Sequence, residues 1–142
     1  MPQSTSFAHT EKLSARELAR KALESVDEAR EVLGAGFLLL LYPEGSRSRT
    51  GQLGPFLRGV QRYLSSTHPL SVVPMAIIGT ERVMPVDDPR LHPGPVTLRF
   101  APPIAVEAGP RGAREGLGEA HRAVQFLLPA HLRPLAVAAE TA

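Results

Sequence analysis

The chain contains no cysteine, so disulfides and thiolate chemistry are excluded and the redox compartment is left open. Lysine is almost absent too: Lys12 and Lys21 are the only two, and arginine carries nearly all the positive charge. With a net charge of +2 and 5% aromatic residues, there is neither a dense basic patch nor a stacking set. A nucleic-acid partner is therefore not expected, whereas a phosphorylated substrate or an anionic membrane surface is compatible with this balance. No apolar run approaches the roughly 20 residues that span a bilayer. The N-terminus lacks the basic-then-apolar order of a signal peptide. His68, His92, His121 and His131 have no ligand spacing, so no metal is expected.

What is there is globular, 43% apolar and 21% charged over 142 residues. One domain is expected, large enough to bury about two-thirds of its unfolded surface. We place a flexible tail over residues 1–13, the domain over 14–128 and a second tail over 129–142.

The stretch Phe37–Gly59, FLLLLYPEGSRSRTGQLGPFLRG, organises the chain. Phe37 to Tyr42 is an unbroken apolar run without helical spacing, which predicts a strand buried on both faces. Pro43 has no N–H and stops the ladder. Glu44, Gly45, Ser46, Arg47, Ser48 and Arg49 then follow at the strand's C-terminal end, where ligands bind in open α/β sheets. Arginine grips phosphate oxygens through its planar fork, and serine hydroxyls and backbone N–H groups can complete a cradle, so this turn suits a phosphate-bearing ligand. Gly45 reads as a backbone requirement, either positive φ or close ligand approach.

Upstream, Ser14 and Glu17 form a capping box, with Leu13 and Leu18 spaced as a hydrophobic staple. Leu18, Ala22, Val26, Ala29 and Leu33 give that helix one apolar face, and Gly34 ends it. Downstream, a helix is predicted over Pro55–Ser65, with Phe56, Val60 and Leu64 inward. Arg58 and Arg62 lie four apart on another face, where solvent or an anion must absorb the repulsion. Gly59 within that helix suggests close backbone packing or ligand approach. Leu70–Ile78 reads as a strand in which Pro74 marks an edge, bulge or end. Pro85–Pro95 is a loop, Val96–Phe100 a short strand, and Ala113–Leu128 a helix with Leu117, Ala120, Val124 and Leu127 inward. An interfacial role for Val124–Val137 is a weaker alternative. The repeated helix–strand order predicts an α/β fold with a mostly parallel sheet flanked by helices.

Tyr42-Pro43-Glu44-Gly45-Ser46-Arg47-Ser48 resembles the hallmark block of the glycerophospholipid acyltransferases, the family of lysophosphatidic acid acyltransferase. Arg49-Thr50-Gly51 with Phe56-Leu57-Arg58-Gly59, then Val73-Pro74-Met75-Ala76-Ile77, then Val96–Ile104 resemble three further family blocks in the family's order. Leu57 stands where the family usually has lysine. The resemblance covers roughly residues 30–105, and implies transfer of a fatty acyl group to 1-acyl-glycerol 3-phosphate. It implies acyl-CoA or acyl-carrier protein as co-substrate, no resident cofactor, and a cytoplasmic place peripheral to a membrane.

The resemblance also implies a substrate-phosphate site at Glu44, Gly45, Ser46, Arg47 and Ser48, aimed into a hollow, with Arg47 on the phosphate. Glu44 either positions the acceptor or holds the loop; Ser46 and Ser48 either donate to phosphate or satisfy the turn. Phe56, Arg58, Gly59 and Pro74 are candidates for an acyl or acceptor groove.

One part of the family pattern is missing. The family's base is a histidine with an aspartate five residues later, upstream of the Pro-Glu-Gly block. His9 is the only upstream histidine, and five residues on stands Ser14, already a helix cap. A second phosphate-binding arginine upstream is not visible either. No catalytic residue is assigned, and the chain reads as the C-terminal half of the family's αβ domain without its N-terminal part. It is then a weak or inactive enzyme by itself, a phospholipid-binding remnant or interaction module, or a stretch whose upstream half belongs to a longer protein. A homodimer through an exposed sheet edge is expected.

Overall fold

The computed structural model describes residues 14–134. The tail expected over residues 1–13, with His9 and Leu13, lies outside the described residues, as does the interfacial reading from residue 135 to Val137. The chain divides into two compact units, residues 1–39 and 40–142.

In the first unit, helix α1 spans Ala15–Gly34. Its start is the expected capping box: the Glu17 N–H donates to Ser14 Oγ, and the Ser14 N–H donates to Glu17 Oε2 at 2.8 Å. The Ser14 hydrogen bonds hold the Glu17 carboxyl below the usual carboxylate range. Of the expected apolar face, Val26 and Ala29 are buried while Leu18 is exposed.

The second unit carries the remaining elements: helices α2 (Gln61–Leu64), α3 (Thr80–Val83) and α4 (Gly109–Leu127), and strands β1 (Leu70–Val72), β2 (Met75–Ile78), β3 (Thr97–Phe100) and β4 (Ile104–Val106). β1 pairs with β4 and β2 with β3, both antiparallel, as two two-stranded sheets. The α/β composition stands, but the expected mostly parallel sheet does not. The reason lies in two proline breaks. Pro74 splits the predicted Leu70–Ile78 strand, and Ala101-Pro102-Pro103 separates β3 from β4. The chain after each break enters the other sheet, so β1 and β2 find antiparallel partners in β4 and β3.

Phe37–Tyr42 is a second correction: it belongs to no strand. Phe37 is 68%, Leu38 97%, Leu40 62% and Tyr42 68% exposed. An apolar run becomes a buried strand only if a neighbour supplies the ladder, and the strands of both described sheets pair with one another. The helix expected over Pro55–Ser65 is also shorter. A 3-10 turn at Arg58–Val60 leads into the single turn of α2, so Pro55 lies outside it.

Two clusters make the core of this unit. Leu64, Ile104, Val106, Ala113, Leu117 and Ala120 form one; Leu53, Ala76, Val124, Leu128 and Leu132 form the other. Phe56 packs against both. α4 supplies residues to each, because its small residues Gly112, Ala113, Gly116 and Ala120 let it lie close on β4. A Cβ at Gly116 would run into the Val106 side chain. Pro110 sits in the first turn of α4, where a missing N–H costs nothing. At its other end Arg99 donates to the Leu127 carbonyl and Arg133 to that of Leu128, both at 2.9 Å. Beyond α4 the chain stays packed: Leu132 is buried and its carbonyl accepts from the Leu53 N–H at 2.8 Å.

Candidate functional site

Tyr42 to Gly45 closes as a turn, with the Gly45 N–H donating to the Tyr42 carbonyl at 3.0 Å. Proline at its second position and glycine at its fourth suit that geometry. Gly45 has φ +71°, the left-handed region, and the space where a Cβ would stand is filled by Leu57. The backbone requirement read from the sequence is therefore real. The turn is tied down twice more. The Leu57 N–H donates to the Pro43 carbonyl at 2.8 Å, and the Gly54 N–H donates to Glu44 Oε2 at 2.7 Å. Glu44 thus holds the loop, one of the two roles left open for it.

The rest of the expected phosphate site is presented at the surface. Arg47 and Ser46 are exposed, and Arg47 Nη1 donates to the Met84 carbonyl at 3.2 Å. Ser48 shares a hydrogen bond with Thr50 at 3.2 Å, and Thr50 Oγ1 accepts from the Gln52 N–H. Ser48 therefore satisfies its own turn. Two surface hollows of this chain lie elsewhere: one of about 390 Å³ along Arg16, Ala19, Arg20 and Leu23, another of about 410 Å³ along Gln61, Pro110, Arg111 and Arg114. Neither is lined by residues 44–48, so Arg47 lies along a surface turn and not over either of these hollows.

The residues proposed for a groove are divided between interior and surface. Phe56 bridges the two core clusters, Pro74 is buried at the break between β1 and β2, and Arg58 and Gly59 are exposed. Nothing stands within 4 Å of a Cβ at Gly59, so close packing is not what places a glycine there.

Two histidines that sequence reasoning left unassigned acquire partners. His121 on α4 donates from Nε2–H to the Gly54 carbonyl at 3.1 Å, since a carbonyl can only accept. Its ring meets Phe56 edge-on at 4.7 Å. His92 bonds Asp88 Oδ2 through Nε2 at 2.9 Å. Asp88 is gripped by Arg90, whose guanidinium holds the Asp88 carboxyl below the usual carboxylate range. The four-residue spacing of Asp88 and His92 was visible in the sequence, but a loop gave no reason to expect them to meet. Among the described residues, no three His, Asp or Glu side chains gather to hold a metal ion.

A family model described as Acyltransferase matches residues 8–78, half of the chain. The chain belongs to the acyltransferase family. Relatives of this family include the 1-acyl-sn-glycerol-3-phosphate acyltransferase of Cocos nucifera, 37% identical over 87 residues, 61% of this chain and 28% of that protein. The enzyme of that name from Limnanthes douglasii is 37% identical over 84 residues, 58% of this chain and 30% of that protein. A chloroplastic one from Brassica napus is 31% identical over 86 residues, 60% of this chain and 25% of that protein. The matched stretch thus spans less than a third of each of these acyltransferases. No solved structure gives a significant match. Among the described residues no helix is long and apolar enough to cross a membrane.

Proposed function

We propose that the chain is the acceptor-binding part of a lysophospholipid acyltransferase, holding 1-acyl-glycerol 3-phosphate for acylation in phospholipid biosynthesis. The observation that carries this reading is the Tyr42–Ser48 turn, clamped by Glu44–Gly54 and Pro43–Leu57, with Arg47 and Ser46 left at the surface. A rigid turn that exposes a guanidinium and a hydroxyl is pre-organised for phosphate. The activity for which the relatives are named supports the same acceptor. The acyl donor is a thioester, acyl-CoA or acyl-carrier protein, acting as co-substrate. Turnover by this chain alone is weak, because the histidine–aspartate pair of the family pattern is missing upstream of the turn.

The place of action is the cytoplasmic face of a membrane, reached peripherally, since the acceptor's acyl chain resides in the bilayer. A second copy covers the open edge of β3, where Val96, Leu98 and Phe100 are 48%, 52% and 59% exposed. A twofold pairing of identical edges is self-complementary.

A second reading is favoured by one observation: the Glu44 carboxylate is committed to Gly54, which leaves it holding the loop. The chain is then a non-catalytic module that binds anionic phospholipid. Titration with 1-acyl-glycerol 3-phosphate, followed by calorimetry, tests the shared premise. Losing a charge-assisted hydrogen bond costs roughly 1.5–3 kcal/mol, so Arg47→Ala should weaken binding at least about tenfold. Undiminished binding in that variant overturns both readings. Diacyl product from an added acyl-CoA separates the first from the second.

A further inference from the structure

The basic side chains of this chain are not confined to the Tyr42–Ser48 turn. We propose that the hollow between α2 and the start of α4 is a second phosphate site, which takes the phosphate-bearing nucleotide end of a coenzyme A thioester. Naming the ligand as the acyl donor rests on the acceptor reading above; the site itself is separate from the acceptor turn.

The hollow measures about 410 Å³ and is lined by Gln61, Pro110, Arg111 and Arg114, so two guanidiniums and an amide border one concavity and no carboxylate does. Arg58 and Arg62, both exposed, stand on either side of Gln61 in the chain. Arg58, Arg62 and Arg114 form no ion pair among the described residues. Their mutual repulsion therefore has no counter-charge within the described fold, and an anion in the hollow would relieve it.

Two of the lining side chains are prepared for a ligand. Arg111 Nε donates to Glu115 Oε1 at 2.9 Å, which braces the guanidinium and leaves its two Nη groups for phosphate oxygens. Arg111 and, less strongly, Arg114 hold the Glu115 carboxyl below the usual carboxylate range, so the brace stays charged at neutral pH. Gln61 is half-buried, and its side-chain amide has no partner among the described residues, so it has N–H groups to donate. The basic character comes from these side chains and not from the helix start. Pro110 has no N–H, and the Gly109 N–H is given to the Ser66 carbonyl at 2.9 Å.

Shape and charge name the ligand class. Several guanidiniums at one hollow match a ligand with more than one phosphate group, and a concavity suits a compact molecule better than a flat bilayer. The nucleotide end of coenzyme A, with a diphosphate and a 3′-phosphate, has both properties. The position along α4 agrees. His121 on the same helix fastens Gly54 of the loop bearing Arg47, and the stretch from Arg111 to His121 is about 15 Å long. An extended pantetheine arm has that order of length, so a donor held here by its phosphates can carry its thioester as far as that fastening.

The test is calorimetric titration of the full 142-residue chain with coenzyme A. The parent should bind it. Dephospho-coenzyme A, which lacks the 3′-phosphate, should bind at least about tenfold more weakly, and pantetheine, which has no phosphate, should not bind measurably. Arg111→Ala and Arg114→Ala should each weaken coenzyme A binding at least about tenfold with circular dichroism unchanged, since both side chains are exposed. Arg122→Ala, also exposed and about two turns further along α4, should stay within about twofold of the parent. Equal weakening in Arg122→Ala would report bulk charge, and pantetheine binding as tight as coenzyme A would report contacts to the arm; either result overturns the site. Vesicles of phosphatidylcholine with phosphatidic acid distinguish the other source of phosphate. If the parent binds these but not coenzyme A, and Arg111→Ala loses them, the hollow holds lipid headgroups and the donor assignment is overturned. Absence of both bindings overturns the site and leaves the acceptor reading intact. Coenzyme A binding without acceptor binding overturns the acceptor reading and leaves the phosphate site standing.

Discussion

Glu44 and His121 hold the same residue from opposite sides: Gly54 gives its N–H to the Glu44 carboxylate and its carbonyl to the His121 ring. The loop bearing Arg47 is thereby fastened to α4, which contributes residues to both core clusters.

The two fastenings should not be energetically independent. Glu44→Ala removes a hydrogen bond to a charged acceptor, roughly 1.5–3 kcal/mol. His121→Ala removes a hydrogen bond and an edge-on ring contact, together about 1–3 kcal/mol. Because both act through Gly54, the double variant should lose less than the sum, by about 0.5 kcal/mol or more. Urea midpoints of the four proteins measure this; strict additivity would mean that the loop is not clamped as a unit.

Gly45→Ala forces a side chain into the left-handed region, costing about 1–2 kcal/mol, and drives it against Leu57. Adding Leu57→Ala should recover the packing part of the loss but not the conformational part. Denaturation of the single and double variants separates the two. Complete recovery would show that sterics alone dictate glycine here.

The α1 cap has a definite pH dependence. The Glu17 carboxyl is held low by Ser14, so its contribution is fully present above the unfolded value of about 4.3 and is lost as pH falls through the lower folded value. Far-ultraviolet circular dichroism of the chain should therefore show helix loss on acidification. In Ser14→Ala the component of that loss due to the cap should be missing. An unchanged acid titration in that variant would remove the cap from the account.

The β3 edge gives an association prediction. Sedimentation equilibrium should show a mass that rises with concentration, and Leu98→Lys should abolish the rise by placing a charge on the open face. A monomer at all concentrations would leave that edge bare.

Features with local causes were legible in the residues alone. Ser14 and Glu17 start a helix because each satisfies the other's backbone. Gly45 follows from the turn it closes, and the inward row of α4 from helical spacing. The Tyr42–Ser48 block, with the three further blocks in the family's order, likewise pointed to the family. Tertiary structure decided everything that depends on which neighbour is present. Phe37–Tyr42 has the composition of a buried strand, yet a strand needs a partner's hydrogen bonds. Pro74 and Pro102-Pro103 were readable as breaks, but only packing determines that the chain beyond each break enters the other sheet. His121 and His92 took their partners in the same way: a side chain's hydrogen bond is made by what the fold brings within hydrogen-bonding reach of it, and spacing along the chain does not carry that information.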